Sequence, residues 1–302
     1  MKRAVSISIG SSKRDKRVEI ELLGEKVLLE RIGTDGDMDK AARLFGELDG
    51  KVDAFGVGGT DLALRVGDKV YPLHSVRSLV RFVRHTPVVD GGGLKNTLEY
   101  RLASFLDAHL GDYIRAHGGK KALITSSADR WGMAASFADA GYQTVFGDLM
   151  FGLGVPFPLR TLRGVEILAA LLLPVVGRLP FEWLYPTGEK QDEWLPRWEK
   201  YYRWATVIAG DCHYVKRHLP RRLEGKIVVT NTTVPEDVRR FREVGIKYLV
   251  TSTPLLDGRT FGTNLMEAAL VAVAGKGRPL TEEEISTYLD ELGLEPQIQV
   301  LN

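Results

Sequence analysis

Residues 122–148 read ALITSSADRWGMAASFADAGYQTVFGD, and the order of residue types in this stretch decides the fold. ALIT is a short apolar run ending in a β-branched residue. SSADRWGMA is a turn of small and polar residues, ASFADAG a helical pattern, and TVFGD a second apolar run closed by Asp148. Strands that are apolar on both faces and joined through a helix belong to a buried parallel sheet. In a dinucleotide-binding unit of this kind an acid about 20 residues beyond the turn takes the ribose hydroxyls, and Asp148 stands where that acid would be. Gly132 is the only glycine of the turn, with Ser126, Ser127 and Ala128 before it. Small residues still let a pyrophosphate approach a helix N-terminus, and Arg130 could accept a 2′-phosphate. The unit therefore predicts NAD or NADP held by Ser126, Ser127, Arg130, Gly132 and Asp148. A Rossmann-like unit without a nucleotide is the competing reading.

The same grammar recurs on both sides. AVSISIG, VDAFGVGGTD, TPVVDGGG, ATVIAGD, KIVVTNTT and KYLVTSTP are further apolar runs with small or polar tails, separated by helical patterns such as DMDKAARLFGEL and PEDVRRFREVG. EIELLGEKVLLERIG predicts a hairpin turning at Gly24, and LALRVGDKVYPL one turning at Gly67-Asp68. LKNTLEYRLASFLDAHLGDYIRAH predicts one long helix, interrupted at most at Gly111. AHGGKK then marks a boundary, giving a mixed α/β substrate domain over 1–117 and a Rossmann-like domain over 118–302. Near the end, Thr281 and Glu284 form a capping box, Gly293 a stop, and IQVL an edge strand. The expected fold class is α/β: two Rossmann-like halves with mostly parallel sheets and a ligand cleft between them.

Ligands of open α/β sheets bind beyond the carboxyl ends of the strands. The strand tails thus form a site map: Gly58 to Asp61, Asp90 to Thr97, Ser126 to Arg130, Asp148, Asp211, Asn231 to Thr233, and Thr251 to Thr253. Asn231, Thr232 and Thr253 are assigned to the cofactor side. Hydroxyls, amides and carboxylates suit a polyhydroxylated or phosphorylated ligand, although the same residue types cap helices and build turns.

The tail DGGGLKNTLE, residues 90–99, admits three readings. The three glycines and Lys95 could cradle a phosphate, but without P-loop spacing. Asn96 or Thr97 could simply cap a helix. In the third reading Asp90 and Lys95 are a charge-paired acid/base couple, the lysine tuned toward neutral pH by burial. Asn96, Thr97, Gly92 and Gly93 would then hold the substrate.

Other segments are weaker pointers. Trp194, Trp198 and Tyr201 fall at helical spacing in a segment that also carries Trp183 and Trp204. An aromatic stripe is core or interface, so a homodimer is among the expected partners. The loop YPTGEK, with Glu189 and Lys190, could act as a lid. Asp211, Cys212, His213 and His218 are close in sequence, but the two histidines do not share a helix face, and no metal is expected. Thr263 or Asn264 would cap a helix, with Arg259 nearby.

Composition bounds the rest. Lys and Arg number 41 against 39 Asp and Glu, a net charge of +2, too even to point to nucleic acid. One cysteine excludes an internal disulfide. No apolar run has the ~20 residues of a membrane span, and the opening MKRAVSISIGSSKRD does not have a signal-peptide pattern. The expectation is a cytoplasmic protein acting on a small molecule.

SISIGSSKRDKRVE, VDAFGVGGTDL and TPVVDGGGLKNTLE resemble a family of bacterial proteins labelled quinate 5-dehydrogenase, a likeness that covers most of the chain. The resemblance implies an NAD(P)-dependent oxidoreductase acting on a hydroxylated carboxylic acid such as quinate, with Lys95 and Asp90 handling the alcohol proton. GGLKNTL approximates the glycine–alanine–x–asparagine–threonine element of shikimate and quinate dehydrogenases with one extra residue, and SSADRWG replaces their glycine-rich turn. The alternative, read from the residues, is a nucleotide- or sugar-binding α/β protein, a transferase or ligand-sensing module, without redox activity.

Overall fold

The computed structural model describes residues 1–179, 194–253 and 262–302. The chain opens with β1 (Lys2–Ser8), β2 (Lys16–Leu22) and β3 (Glu25–Gly33), followed by α1 (Met38–Leu48) and β4 (Ala54–Gly58). A small hairpin, β5 (Ala63–Val66) and β6 (Lys69–Pro72), leads through α2 (His74–Arg77) to β7 (Val88–Val89). The first sheet has the order β2-β3-β1-β4-β7. All its pairings are parallel except the β2–β3 hairpin. Both hairpins turn where the sequence predicts, with Gly24 at φ +78° and Gly67 at φ +60°, a region glycine enters without Cβ strain.

α3 (Gly92–Tyr100) and α4 (Leu102–Ala116) carry the chain into the second sheet. The expected single long helix breaks at Arg101 rather than at Gly111, which lies buried inside α4. Then follow β8 (Lys121–Ile124), α5 (Trp131–Asp139), β9 (Gln143–Phe146), a π-helical turn over Asp148–Gly152, and α6 (Leu162–Val176). Beyond the undescribed stretch come α7 (Glu199–Trp204), β10 (Val207–Ala209), α8 (Cys212–Arg217), β11 (Ile227–Thr230), α9 (Pro235–Glu243) and β12 (Tyr248–Thr251). α10 (Thr263–Ala274), α11 (Glu282–Glu291) and the edge strand β13 (Gln297–Val300) complete the described chain. The second sheet has the order β13-β12-β11-β10-β8-β9, parallel except for β13. The expected fold class is therefore observed: two α/β lobes, each with a mostly parallel sheet.

Period-2 alternation along each strand divides side chains between two cores per sheet. In β1, Val5 and Ile7 join Phe45, Phe55 and Val76 under α1 and α2. Ala4, on the other face, joins Ala54, Leu94 and Leu98. In the second lobe Ala122, Ile124, Val207 and Val229 meet α4, α5 and α6, while Leu123, Ile208 and Val228 meet α7, α8 and α9.

The division at residue 117 does not follow this packing. Leu265, Ala268, Ala269 and Ala272 of α10, and Ile285 and Leu289 of α11, share the core of Ala4, Leu22, Leu29 and Ala54. The C-terminal helices thus return to the first sheet before β13 closes the second. Small residues make this possible: a Cβ on Gly56 would lie 2.7 Å from the Asn264 carbonyl oxygen, and one on Gly91 2.6 Å from the Asn264 nitrogen. Two of the three consecutive glycines of the 90–99 loop serve this corner. Gly91 takes φ +92° under the start of α10, and Gly93 lies against Glu267 and Ile285.

Trp194, Trp198 and Tyr201 do not form the expected helical stripe, because α7 begins only at Glu199 and Trp198 precedes it at φ +61°. Trp198, Tyr201 and Trp204 pack on the core under α7, and Trp194 Nε1 donates to the Leu219 carbonyl. Trp183, the loop YPTGEK and Arg259 lie outside the described residues.

Candidate active site between the lobes

Both sheets reverse their strand order beside their first strand, β1 in one and β8 in the other. The loops after these strands and their neighbours define the region where a ligand is expected. α3 runs between the lobes, and its side chains make the connection. Lys95 Nζ lies 3.4 Å from Asp61 Oδ1, on the loop after β4, and 3.3 Å from Asp129 Oδ1, on the loop after β8. One turn further along α3, Glu99 accepts from Arg130 Nη1 at 2.6 Å, and Arg130 Nη2 reaches Asp211 Oδ2 at 2.6 Å. The network contains two cations and four carboxylates. Beside it lies a cavity of about 630 Å³, lined among others by Lys95, Asn96, Asp129, Asp90 and the β5–β6 hairpin.

The charges set one another. Burial alone would lower the Lys95 pKa, but Asp129 and Asp61 outweigh it and hold the ammonium well above its ordinary range. Lys95 is therefore a fixed cation and hydrogen-bond donor, not the base expected from the sequence. Burial, helped by Asp129 and Asp90 and opposed by Lys95, pushes the Asp61 carboxyl up to about 6. Asp129 faces the same burial but is lowered overall by Lys95 and Arg130. Glu99 is raised by burial against the pull of Arg130 and Lys95. Asp61 is thus an acid of the network whose carboxyl is raised toward neutral pH beside a fixed cation.

Asp90 is not the partner of Lys95. Its Oδ2 accepts from the Leu62 amide at 2.7 Å and its Oδ1 from the Gly92 amide at 2.9 Å, fixing the two loops together. Thr97 donates to the Gly93 carbonyl one turn back and is engaged within α3. Asn96 lines the cavity, and its side chain has no partner among the described residues. Gly92 and Gly93 line it too.

The residues expected to hold a dinucleotide do not fit one. A Cβ on Gly132 would lie 2.3 Å from the Asn96 carbonyl oxygen, so this glycine serves the close packing of the start of α5 onto α3. Asp148 turns toward the loop after β8, its Oδ1 accepting from the Ala128 amide at 2.8 Å. Ser127 is fully buried and the Ser126 hydroxyl takes the Asp211 amide at 3.4 Å. Arg130 is held by three acids and is raised by Glu99, Asp129 and Asp211 against burial. Asn231 bonds Asp211 through Nδ2 at 3.0 Å, and Thr232 and Thr253 bond each other at 2.9 Å. These residues do gather at the strand ends of the second lobe, around Asp211, and they bind one another.

Of the other singled-out residues, Asp211 caps α8 through the His213 amide and Cys212 is buried, its thiol pushed up by burial and by Asp237 and Asp211. His218 meets the Leu195 carbonyl.

Glu99 and Glu267 were missed by reading the sequence. Glu267 is an acid inside an otherwise apolar helical run, which is the available signal, whereas Glu99 stands among polar residues of α3 and carries none. Glu267, on α10, accepts from the Leu94 amide at 3.1 Å and so caps α3 from the far end of the chain. Tyr214, on α8, is a third addition. The residue is 37% exposed, and burial followed by Asp129 and Asp211 raises its hydroxyl.

Glu267 makes stability depend on pH. Burial lifts its carboxyl from the ordinary 4.5 to about 7, against the Leu94 and Gly93 amides that lower it. The folded protein keeps this proton where the unfolded chain has lost it, so stability falls as pH rises from about 4.5 to about 7 and is flat above. The contribution is on the order of 3 kcal/mol. Glu267→Gln should remove that fall. Urea unfolding of both proteins at pH 5 and pH 8 checks it, since the Asp61 contribution cancels in the comparison.

Fold and site together define a two-lobed α/β protein with an ionic cluster in its cleft. The chain belongs to the family described as Domain of unknown function (DUF8754), whose model matches residues 93–301, and Domain of unknown function (DUF8753) matches residues 3–90. No curated protein sequence matches it. Among solved structures it is similar to GanP, a glucose-galactose binding protein from Geobacillus stearothermophilus, at 10% identity and TM-score 0.37, covering 99% of this chain and 97% of that one. It is also similar to a galactofuranose binding protein, at 12% identity and TM-score 0.38, covering 98% and 94%. The malic enzyme of Entamoeba histolytica overlaps at 11% identity and TM-score 0.38, covering 97% and 70%. No helix among the described residues is long and apolar enough to cross a membrane.

Proposed function

We propose that the chain binds a small polyhydroxylated molecule, of the size of a sugar, between its lobes, and does so without a nicotinamide. The observation that carries this reading is Lys95 held between Asp61 of one lobe and Asp129 of the other, beside a cavity of about 630 Å³. Carboxylates accept pairs of vicinal hydroxyls, and Lys95 and Asn96 supply donors. An excess of carboxylates over cations disfavours a pyrophosphate in the same place. In this reading Lys95 fixes the orientation of the two acids, and Asp61 is the group able to take or give a proton to a bound hydroxyl.

Isothermal titration of the full chain with neutral monosaccharides and polyols, quinate, NAD and NADP tests the reading. A neutral polyol should bind, and Lys95→Met should weaken it by about tenfold or more, the loss of one charged hydrogen bond. Binding of NAD or NADP with no response to any polyol would sink it and restore the oxidoreductase that the resemblance to quinate dehydrogenases implies.

A further inference from the structure

The loop after β1, Ile9 to Arg14, has no part in the cluster around Lys95, yet it follows the strand at which the first sheet reverses its order. Its geometry is unusual for what it brings together. A Cβ placed on Gly10 would lie 2.9 Å from Arg14 Nη2, 3.2 Å from Arg31 Nη2 and 3.3 Å from Ser8 Oγ. Two guanidinium groups thus converge over one face of a glycine, where any side chain would displace them. Like charges do not gather without cause. Arg31 is paired with Asp15 at 2.8 Å and also donates to the Ser11 carbonyl. The Arg14 guanidinium has no partner among the described residues. The strain of the arrangement registers on Arg31, whose pKa is lowered first by burial and then by Arg14. Asp35, the other acid of this corner, is engaged with the Ser12 amide at 2.8 Å.

We infer that Arg14 and Arg31, converging over Gly10, form an anion subsite for the phosphate group of a phosphorylated polyol. The inference rests on the polyol reading for the rest of the ligand. Two planar forks over a side-chain-free backbone suit a tetrahedral dianion, which accepts from both at once. The subsite also neighbours the loop that enters the Lys95 cluster. A Cβ on Gly59 would be 3.5 Å from the Gly10 amide nitrogen, so this loop touches the one that carries Asp61. Asp61 is two residues further on, which puts the arginines on the order of 10 Å from the Lys95 cluster, about the length of a sugar phosphate.

Thermal unfolding and titration of the full chain test this, using inorganic phosphate, acetate and glucose 6-phosphate at ionic strength matched with sodium chloride. Phosphate should raise the melting temperature and acetate should not. Arg14→Ala should weaken phosphate about tenfold or more. Arg14→Lys, which keeps the charge but not the fork, should fall between. Lys13→Ala, an equal charge loss beside the subsite, should leave phosphate binding unchanged. The Arg14 side chain is exposed and has no partner among the described residues, so these variants should fold as the parent does. Equal responses to phosphate and acetate, or equal losses in Arg14→Ala and Lys13→Ala, would mean only diffuse surface charge and would overturn the inference. So would no response to phosphate. The Lys95→Met variant separates the two readings. If it still binds phosphate while no polyol binds the parent, the subsite stands and the polyol reading falls. If polyols bind the parent and Arg14→Ala alike but phosphate binds neither, the reverse holds.

Discussion

Arg130→Ala should be among the most damaging single substitutions in this protein, costing about 3–5 kcal/mol of stability. Arg130 is 7% exposed and Glu99 only 1%. Removing the guanidinium leaves Glu99 buried without its counter-ion, with one oxygen, Oε2, already lacking a hydrogen-bond partner. Asp211 would keep Asn231 and the His213 amide. The expected response to pH identifies the cause. Without Arg130, Glu99 can relieve its isolation only by taking up a proton, so the variant should regain stability as pH falls from 8 to 5. The double substitution Glu99→Leu with Arg130→Met should recover most of the loss, because replacing both members of a buried pair costs far less than removing one. Guanidinium unfolding followed by tryptophan fluorescence reads all three. A loss under about 1 kcal/mol in Arg130→Ala, the range of an exposed pair, would show that the network contributes little to holding the lobes.

The fragment 1–117 should not fold by itself. It contains a whole sheet, but one face of that sheet is covered by α10 and α11, from residues 263–291. Without them Ala4, Leu22, Leu29, Ala54 and Leu94 lose their cover, and α3 loses its cap at Glu267. The large side chains uncovered, each contributing about 1.5–3 kcal/mol when buried, together amount to much of the net stability of an ordinary domain. Near-ultraviolet circular dichroism should show no fixed tertiary packing, and denaturant should produce no cooperative transition. A sharp transition would mean that the first lobe closes its core without the C-terminal helices.

The sequence discloses the strands and turns because their causes are local. Gly24 and Gly67 take the left-handed conformations their turns need, Thr281 and Glu284 bond each other across one turn of α11, and apolar runs mark strands buried on both faces. The destination of α10 is not local. Its apolar pattern says that it is buried, and nothing within it says under which sheet. The decisive marks are the glycines at 56, 58 and 91, more than 170 residues away, whose missing side chains admit Thr263 and Asn264. The site is legible to the same degree. The strand tails containing Asp61, Asp129 and Asp211 point to the correct region. Their partners do not follow, since Asp90 is nearer to Lys95 in sequence yet is turned away by two backbone amides. Asp148 sits in the position of a ribose acid but is drawn inward by the Ala128 amide.

The course of the chain also has a mechanical consequence. Its described elements change lobe three times: from α3 to α4, from β12 to α10, and from α11 to β13. Two bodies tied by one tether can swivel, twist and part. Three tethers remove most of those freedoms and leave bending about the line that joins them as the cheap motion. A molecule entering such a cleft would meet jaws whose angle can change but whose edges stay in register, so Asp61 and Asp129 would arrive opposite each other at every opening.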